Sequence, residues 1–335
     1  LIWKTPQSMI IVRVIICLAS GLTAVYLMFK FIQKDSWFPS RDNMLSMVKY
    51  SLPLTFAWMM GTLSLQLDQL IVSSLCTPEE FAVYTFGAIE IPLIGILTGS
   101  IATVILPDIR RFVVAGKNSE ALALFRQAAE KSAWILFPTM LFLLVSADSF
   151  MRTFFSAKYA ASVTPFRIHL LILPGRIVYF GTLQMALGQT KAIFFRELIG
   201  LVINILLGIL IVKNIGYIGA AYAKVISMYA WNLSANLFLV SRSMNVSWSA
   251  ILPFQRLGKI IVYFAIPTLF IILTNQVHFK MSWLQLMVNA AIFCCSGLFV
   301  CGKPFIECVL PNYRNTMSYR YLENIYNKIA TGSFV

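Results

Sequence analysis

Five ionisable side chains sit inside apolar runs of this sequence: Asp68, Glu90, Arg167, Arg176 and Lys224. His169 and Glu197 lie nearer the ends of such runs. A charge inside a hydrocarbon-length segment costs at least about 3 kcal/mol on insertion scales, so it faces a bundle interior or a water-filled cavity and marks a site by default. Arg176 and Lys224, supported by Arg167, have the chemistry of a cationic cavity for an anionic substrate, because a guanidinium fork matches phosphate and an ammonium supplies a point charge. Asp68 and Glu90 have two readings. Burial and mutual repulsion would let one of them carry a proton or couple a cation, or both simply balance the neighbouring bases. Lys224 has the matching pair of readings, substrate contact or neutraliser of Asp68 or Glu90, and the residues leave both open.

The run that carries Asp68, from Tyr50 to Leu75, is long enough to cross a bilayer. Counting back from Asp68 by helical steps meets Ser64, Gly61 and Ala57, a small and polar stripe that should line something wet. Asp68 lies roughly 10 Å before the outer end of its helix, and Glu90 roughly 13 Å after the outer start of the next. The two carboxylates can therefore meet across one hairpin, and Lys224 and Arg176 lie deep enough to share one outward-facing half of a cavity with them. Asn204 shares a face with Glu197, Gly200 and Gly208, which suits either close helix packing or a lumenal role. Lys224 shares its own face with Ala220, Ser227, Trp231 and Ser234. His169, on an aliphatic helix, reads as a packing residue, and Arg167 lies near enough to the interface to snorkel out.

The elements that must hold these groups follow from composition. A chain of 335 residues that is 59% hydrophobic and 12% charged, with a mean hydropathy of +0.78, is too apolar for a water-soluble domain. The fold class is all-α, a polytopic helical membrane protein with about nine transmembrane helices, since lipid leaves backbone groups no other partner. The spans read as 9–29, 50–75, 81–106, 132–150, 164–187, 192–212, 217–240, 258–275 and 283–301. The net charge of +14 does not indicate nucleic acid, because 18 of the 27 Lys and Arg fall in alternate loops and six on the other side. By the positive-inside rule the C-terminus is cytoplasmic. The loop 107–131 reads as an amphipathic helix at the inner surface, and the tail with Tyr313, Tyr319, Tyr321 and Tyr326 as interfacial. Trp37, Phe38, Trp248 and Trp283 fall near span ends, where amphipathic rings settle at the headgroups. Six cysteines without paired or metal-like spacing indicate neither a disulfide framework nor a zinc site. With no Ser-His-Asp set, no Gly-rich phosphate loop and no DxD-type cluster, the expectation is no enzyme, no catalytic residue, no cofactor and no metal. The first residue is Leu and no signal sequence precedes the first span, which suggests the C-terminal part of something longer.

Several stretches resemble the polysaccharide, or oligosaccharidyl-lipid, flippases of the multidrug/oligosaccharidyl-lipid/polysaccharide superfamily, above all the O-antigen and capsule unit exporters. They are YSLPL at 50–54 opening a span that ends in LDQLIVSSL, then LPDIRRFVVAGK, LFPTMLFLL and FFSAKYAAS, and finally ALGQTKAIFFRELIGLVINILLGILIVKNIGYIGAAYAKVISMY at 186–229. The resemblance covers residues 44–243 and rests on the order and spacing of these motifs. It implies two six-helix lobes around an alternating-access cavity that turns over an undecaprenyl-diphosphate-linked sugar unit, in some members driven by a cation gradient. It further implies that 1–43 hold the last helix of a truncated first lobe and a cytoplasmic linker, 44–243 the second lobe, 244–301 an extra helix pair and 302–335 a cytoplasmic tail. Arg176, Lys224, Arg167 and Asn204 would then meet the lipid-linked oligosaccharide, with Asp68 and Glu90 coupling an ion or balancing charge. The setting would be the bacterial inner membrane, with other polysaccharide-assembly membrane proteins as partners. A cation-coupled multidrug exporter of the same superfamily, and a membrane-embedded polysaccharide polymerase or ligase, are the alternatives.

Overall fold

The computed structural model describes residues 6–31, 40–155, 157–275 and 281–309. The tail tyrosines, Trp37 and Phe38 lie outside them. Every regular element among the described residues is helical. Two compact units divide between Lys49 and Tyr50. The first holds α1 (Pro6–Phe31) and the opening turns of α2 (Arg41–Leu75), and all candidate site residues belong to the second. Among the described residues, three single helices are long and apolar enough to cross a membrane: α5, α8 and α12, defined below. Outward-pointing Trp58 and Val104 are 70% and 73% exposed, as suits a chain whose solvent is hydrocarbon.

A short turn at Cys76 and Thr77 leads into α3 (Pro78–Gly87). Thr77 Oγ1 accepts from Glu80 N while Thr77 N donates to Glu80 Oε2, a reciprocal cap that satisfies two donors the helix cannot. The sequence reading has one span over 81–106, but the chain breaks at Ala88–Ile91 and restarts as α4 (Pro92–Val114). Pro92 explains the break, since it lacks the N–H that Ala88 O would need. Glu90 therefore sits in a gap between two helices.

The segment 107–131 does not lie apart as a surface helix. Gly116, at φ +73°, makes a three-residue turn after α4, and α5 (Asn118–Phe155) then runs 38 residues without interruption. Its first turns bury Leu122, Phe125 and Ala129 in the protein core, so the apolar face that suggested membrane contact is a packing face.

The reading of 164–187 as one span also changes. A 3-10 turn (Ala157–Ser162) leads into α6 (Val163–Leu170), a second 3-10 turn covers Leu173–Arg176, and α7 (Phe180–Ala186) completes a pair bent by 46°. Pro174 and Gly175 cause the irregularity, and a Cβ on Gly175 would come within 2.6 Å of Met228 Cε. The next hairpin is α8 (Thr190–Ile215) and α9 (Ile218–Ser227), turned at Gly216 (φ +71°). A Cβ on Gly219 would meet the backbone oxygen of Ile211 at 2.7 Å, so only glycine allows these helices to approach so closely. After α9 a π-helical turn (Met228–Leu233) precedes α10 (Ser234–Met244).

The short α11 (Trp248–Ile251) leads to α12 (Phe254–Thr274) and α13 (Ser282–Val309), which continues past the expected span end at 301. Asn289, fully buried, donates to Ser146 Oγ on α5 at 3.1 Å and to Asn275 Oδ1 at 3.0 Å, fastening this pair to the bundle. Two cores result. The larger surrounds α5 and includes Phe125, Leu136, Met151, Leu183 and Ile260. The smaller joins Ile71, Val72, Tyr84, Ile168, Val212 and Ala220, and it holds α2, α3, α6, α8 and α9 at the distances the charged groups require.

Candidate functional site

The stripe on α2 meets protein along its whole length. Ala57 is buried, Gly61 approaches Glu197 Oε2 on α8, Asn204 Nδ2 reaches Ser64 Oγ and O at 3.4 Å, and Gly208 closes on Ile71. A small-residue face permits this close contact, and the hydrogen bonds across it replace those that water would have made. The stripe is a helix-packing seam, where the sequence reading expected a wet surface.

At the end of that seam Lys224 Nζ lies 2.7 Å from Asp68 Oδ1, with the carbonyl oxygens of Ser64 and Leu65 at 3.3 and 3.4 Å. The second carboxylate oxygen, Asp68 Oδ2, accepts from Tyr84 OH at 2.9 Å. An ammonium has three donors and all three are used. Both side chains are sealed, at 11% and 6% exposure, so the pair is charge-balanced and dry. Opening it by removing one partner would strand a buried charge, at a cost of about 3–5 kcal/mol.

The second pair lies across the two helix breaks. Arg176 Nη2 donates to Glu90 Oε1 at 2.9 Å, and these side chains are 31% and 46% exposed. Glu90, Ile89 and Ile91 from the first break, and Ile172, Leu173 and Arg176 from the second, line a cavity of about 40 Å³ closed at its side by His169 and Phe166. That volume admits water. Where a helix is interrupted, backbone groups lose their helical partners, and here the π-helical turn supplies one: Tyr229 OH donates to Leu171 O at 2.6 Å. Discontinuous helices that bring polar backbone and a charge together at depth are a usual way for transporters to build a substrate site.

The structure thus brings together four of the six expected site residues as two ion pairs, Asp68 with Lys224 and Glu90 with Arg176, and His169 lies within electrostatic range of all four. Arg167 is not among them. It points away, exposed, and its Nε donates to Leu144 O on α5 at 3.1 Å. Asn204 is 4% exposed and bonded to Ser64.

One charged residue escaped sequence reasoning. Arg196, counted among the 18 loop bases although it falls inside the expected span 192–212, is on α8 and 5% exposed. Its guanidinium bonds to Asn236, Glu197 and Gln184, while Trp231 Nε1 donates to Arg196 O at 3.1 Å. The available signal was Gln184 and Asn236 standing among apolar neighbours, with Arg196 near the start of α8 beside Glu197.

A sequence model of the family described as Polysaccharide biosynthesis protein matches residues 3–164. That stretch holds YSLPL, LPDIRRFVVAGK and FFSAKYAAS, and it stops before the motif at 186–229. No curated protein matches. In fold the chain is similar to the Lipid II flippase MurJ in its inward closed conformation, with 18% identity and a TM-score of 0.61 over 83% of this chain and 59% of that one. An outward-facing MATE family multidrug resistance transporter of the MOP superfamily is matched with 19% identity and a TM-score of 0.49, over 79% and 66% of the two chains. The chain spans about three fifths of the flippase's length.

Proposed function

We propose, for a chain that resembles the flippases and transporters of the multidrug/oligosaccharidyl-lipid/polysaccharide superfamily in sequence and in fold, that it works as the second lobe of a lipid-linked oligosaccharide flippase. The cargo is an undecaprenyl-diphosphate-linked unit, an O-antigen or capsule repeat, and the route is alternating access across the bacterial inner membrane. One observation carries this reading: Arg176 stands in a helix break, over a water-sized cavity, facing the break that holds Glu90. In the empty site Glu90 holds the guanidinium in place. An arriving diphosphate offers two or more oxygens to the same fork and displaces the single carboxylate contact, which prepays the orientation of Arg176.

The remaining residues divide by their partners. Lys224 is committed to Asp68 and holds α9 against α2, so its part is to fix the frame of the site. Asn204 does the same for α8 through its hydrogen bond to Ser64. We assign 44–243 to the transporting lobe, 244–301 to the extra helix pair and the C-terminus to the cytoplasm, with polysaccharide-assembly membrane proteins as neighbours. A cation-coupled drug exporter would need an acid free to take the ion, and Asp68 is already covered by an ammonium. In cells, Arg176→Lys should lower surface glycan substantially and Arg176→Ala nearly remove it at normal membrane abundance. Normal glycan in the Ala variant would end the phosphate role.

A further inference from the structure

His169 stands between the two ion pairs without joining either. Its Nδ1 is sealed from solvent and meets no hydrogen-bond partner among the described residues. Its ring closes the side of the cavity in which Glu90 and Arg176 meet. The groups around it come from each element packed on α6. Asp68 on α2, Glu90 in the break after α3, Arg176 in the following 3-10 turn and Lys224 on α9 all lie within electrostatic range of it. Tyr84 on α3 donates to Asp68 Oδ2. From α5 the contact is apolar, Phe150 stacking on Phe166 at 5.4 Å, and Arg167 turns to Leu144. The preceding 3-10 turn presents Tyr159, which packs on Phe86.

The four charges sum to zero, two carboxylates against an ammonium and a guanidinium. A neutral imidazole is stable in that balance. We propose that the His169 imidazole takes up a proton when an anionic substrate displaces Glu90 from Arg176, so that loading of the site and protonation are linked. This rests on the reading of Arg176 as the phosphate contact. A bound diphosphate leaves Glu90 without its cation and adds negative charge of its own, and an anion within a few ångströms favours the charged imidazolium. The proton comes from water reaching the cavity, and no bond to the substrate is made or broken. Linkage is reciprocal: if binding draws a proton in, acid strengthens binding.

The test uses the full-length protein in lipid nanodiscs and, as probe, a prenyl diphosphate esterified on both phosphates, the second by a monosaccharide. Such a diester keeps a constant charge between about pH 6 and 8, the range in which a histidine titrates. Affinity should fall as pH rises, by up to about tenfold per unit, and binding in weak buffer should withdraw protons from solution, up to about one per ligand. His169→Gln should bind with an affinity that does not vary with pH and withdraw no proton. Binding without proton uptake by the unmodified protein would overturn the proposal, whatever the variants do. Uptake that survives His169→Gln but vanishes in Glu90→Gln would assign the proton to the released carboxylate and overturn it equally. Unaltered binding by Arg176→Ala would instead remove the reading of the site on which the proposal rests.

Discussion

Lys224 Nζ and Asp68 Oδ1 are 2.7 Å apart, and two carbonyl oxygens of α2 complete the ammonium's contacts. Asp68 therefore serves as an anchor of α9 on α2.

Removing either partner alone should expose this role. Lys224→Met leaves Asp68 buried and uncompensated, and stability should drop by about 3–5 kcal/mol. The double variant Asp68→Asn, Lys224→Met should recover most of it, because no lone charge remains. Thermal unfolding in detergent measures both. A double variant as unstable as the single one would mean that the pair is not what holds these helices.

The hairpin that presents Lys224 depends on one missing methyl group. Gly219→Ala would push a Cβ against the backbone oxygen of Ile211, where no side chain can yield, and overpacking of this kind costs about 1–3 kcal/mol. Gly99→Ala is the control, since nothing stands within 4 Å of its position. Melting temperature should fall for the first and hold or rise for the second.

Cys76, in the turn between α2 and α3, reports on orientation and on local charge together. Burial, and then the Glu80 carboxylate, raise its pKa above the ordinary thiol value. The thiolate is the reactive form. Labelling by an impermeant maleimide should therefore be slow near neutrality and speed up as pH rises through a range above that of a free cysteine. Glu80→Gln keeps an oxygen for the Thr77 cap but removes the charge, so labelling at a fixed alkaline pH should quicken. On the expected topology Cys76 reacts in intact cells and a cysteine placed at Lys117 does not. The reverse pattern would invert the assignment of sides.

Much of this arrangement could be read from residue types, and the parts that could not have physical reasons. Asp68, Glu90, Arg176 and Lys224 were visible because a charge in an apolar run is costly wherever it occurs. Their pairing was not, since it depends on how α2, α3, α6 and α9 meet in the smaller core. The helix breaks escaped because Ile89, Ile91, Leu171 and Ile172 keep the local sequence apolar through each gap. Pro92, and Pro174 with Gly175, were the only marks of them. The stripe on α2 was recognised as small and polar, but that composition serves a packed seam as well as a wet one, and only the opposing Asn204 and Gly208 decide between them. Arg196 was misplaced because a basic residue near a turn looks like a loop residue until Asn236 and Gln184 are seen beside it.

The central claim is that Arg176 grips a diphosphate on its way across the membrane. The most direct measurement is transfer of a fluorescent prenyl-diphosphate saccharide between leaflets of proteoliposomes containing the full-length protein, compared with Arg176→Ala at equal, folded incorporation. The account predicts transfer by the unmodified protein and none above protein-free liposomes by the variant. Transfer at the same rate by both would contradict it.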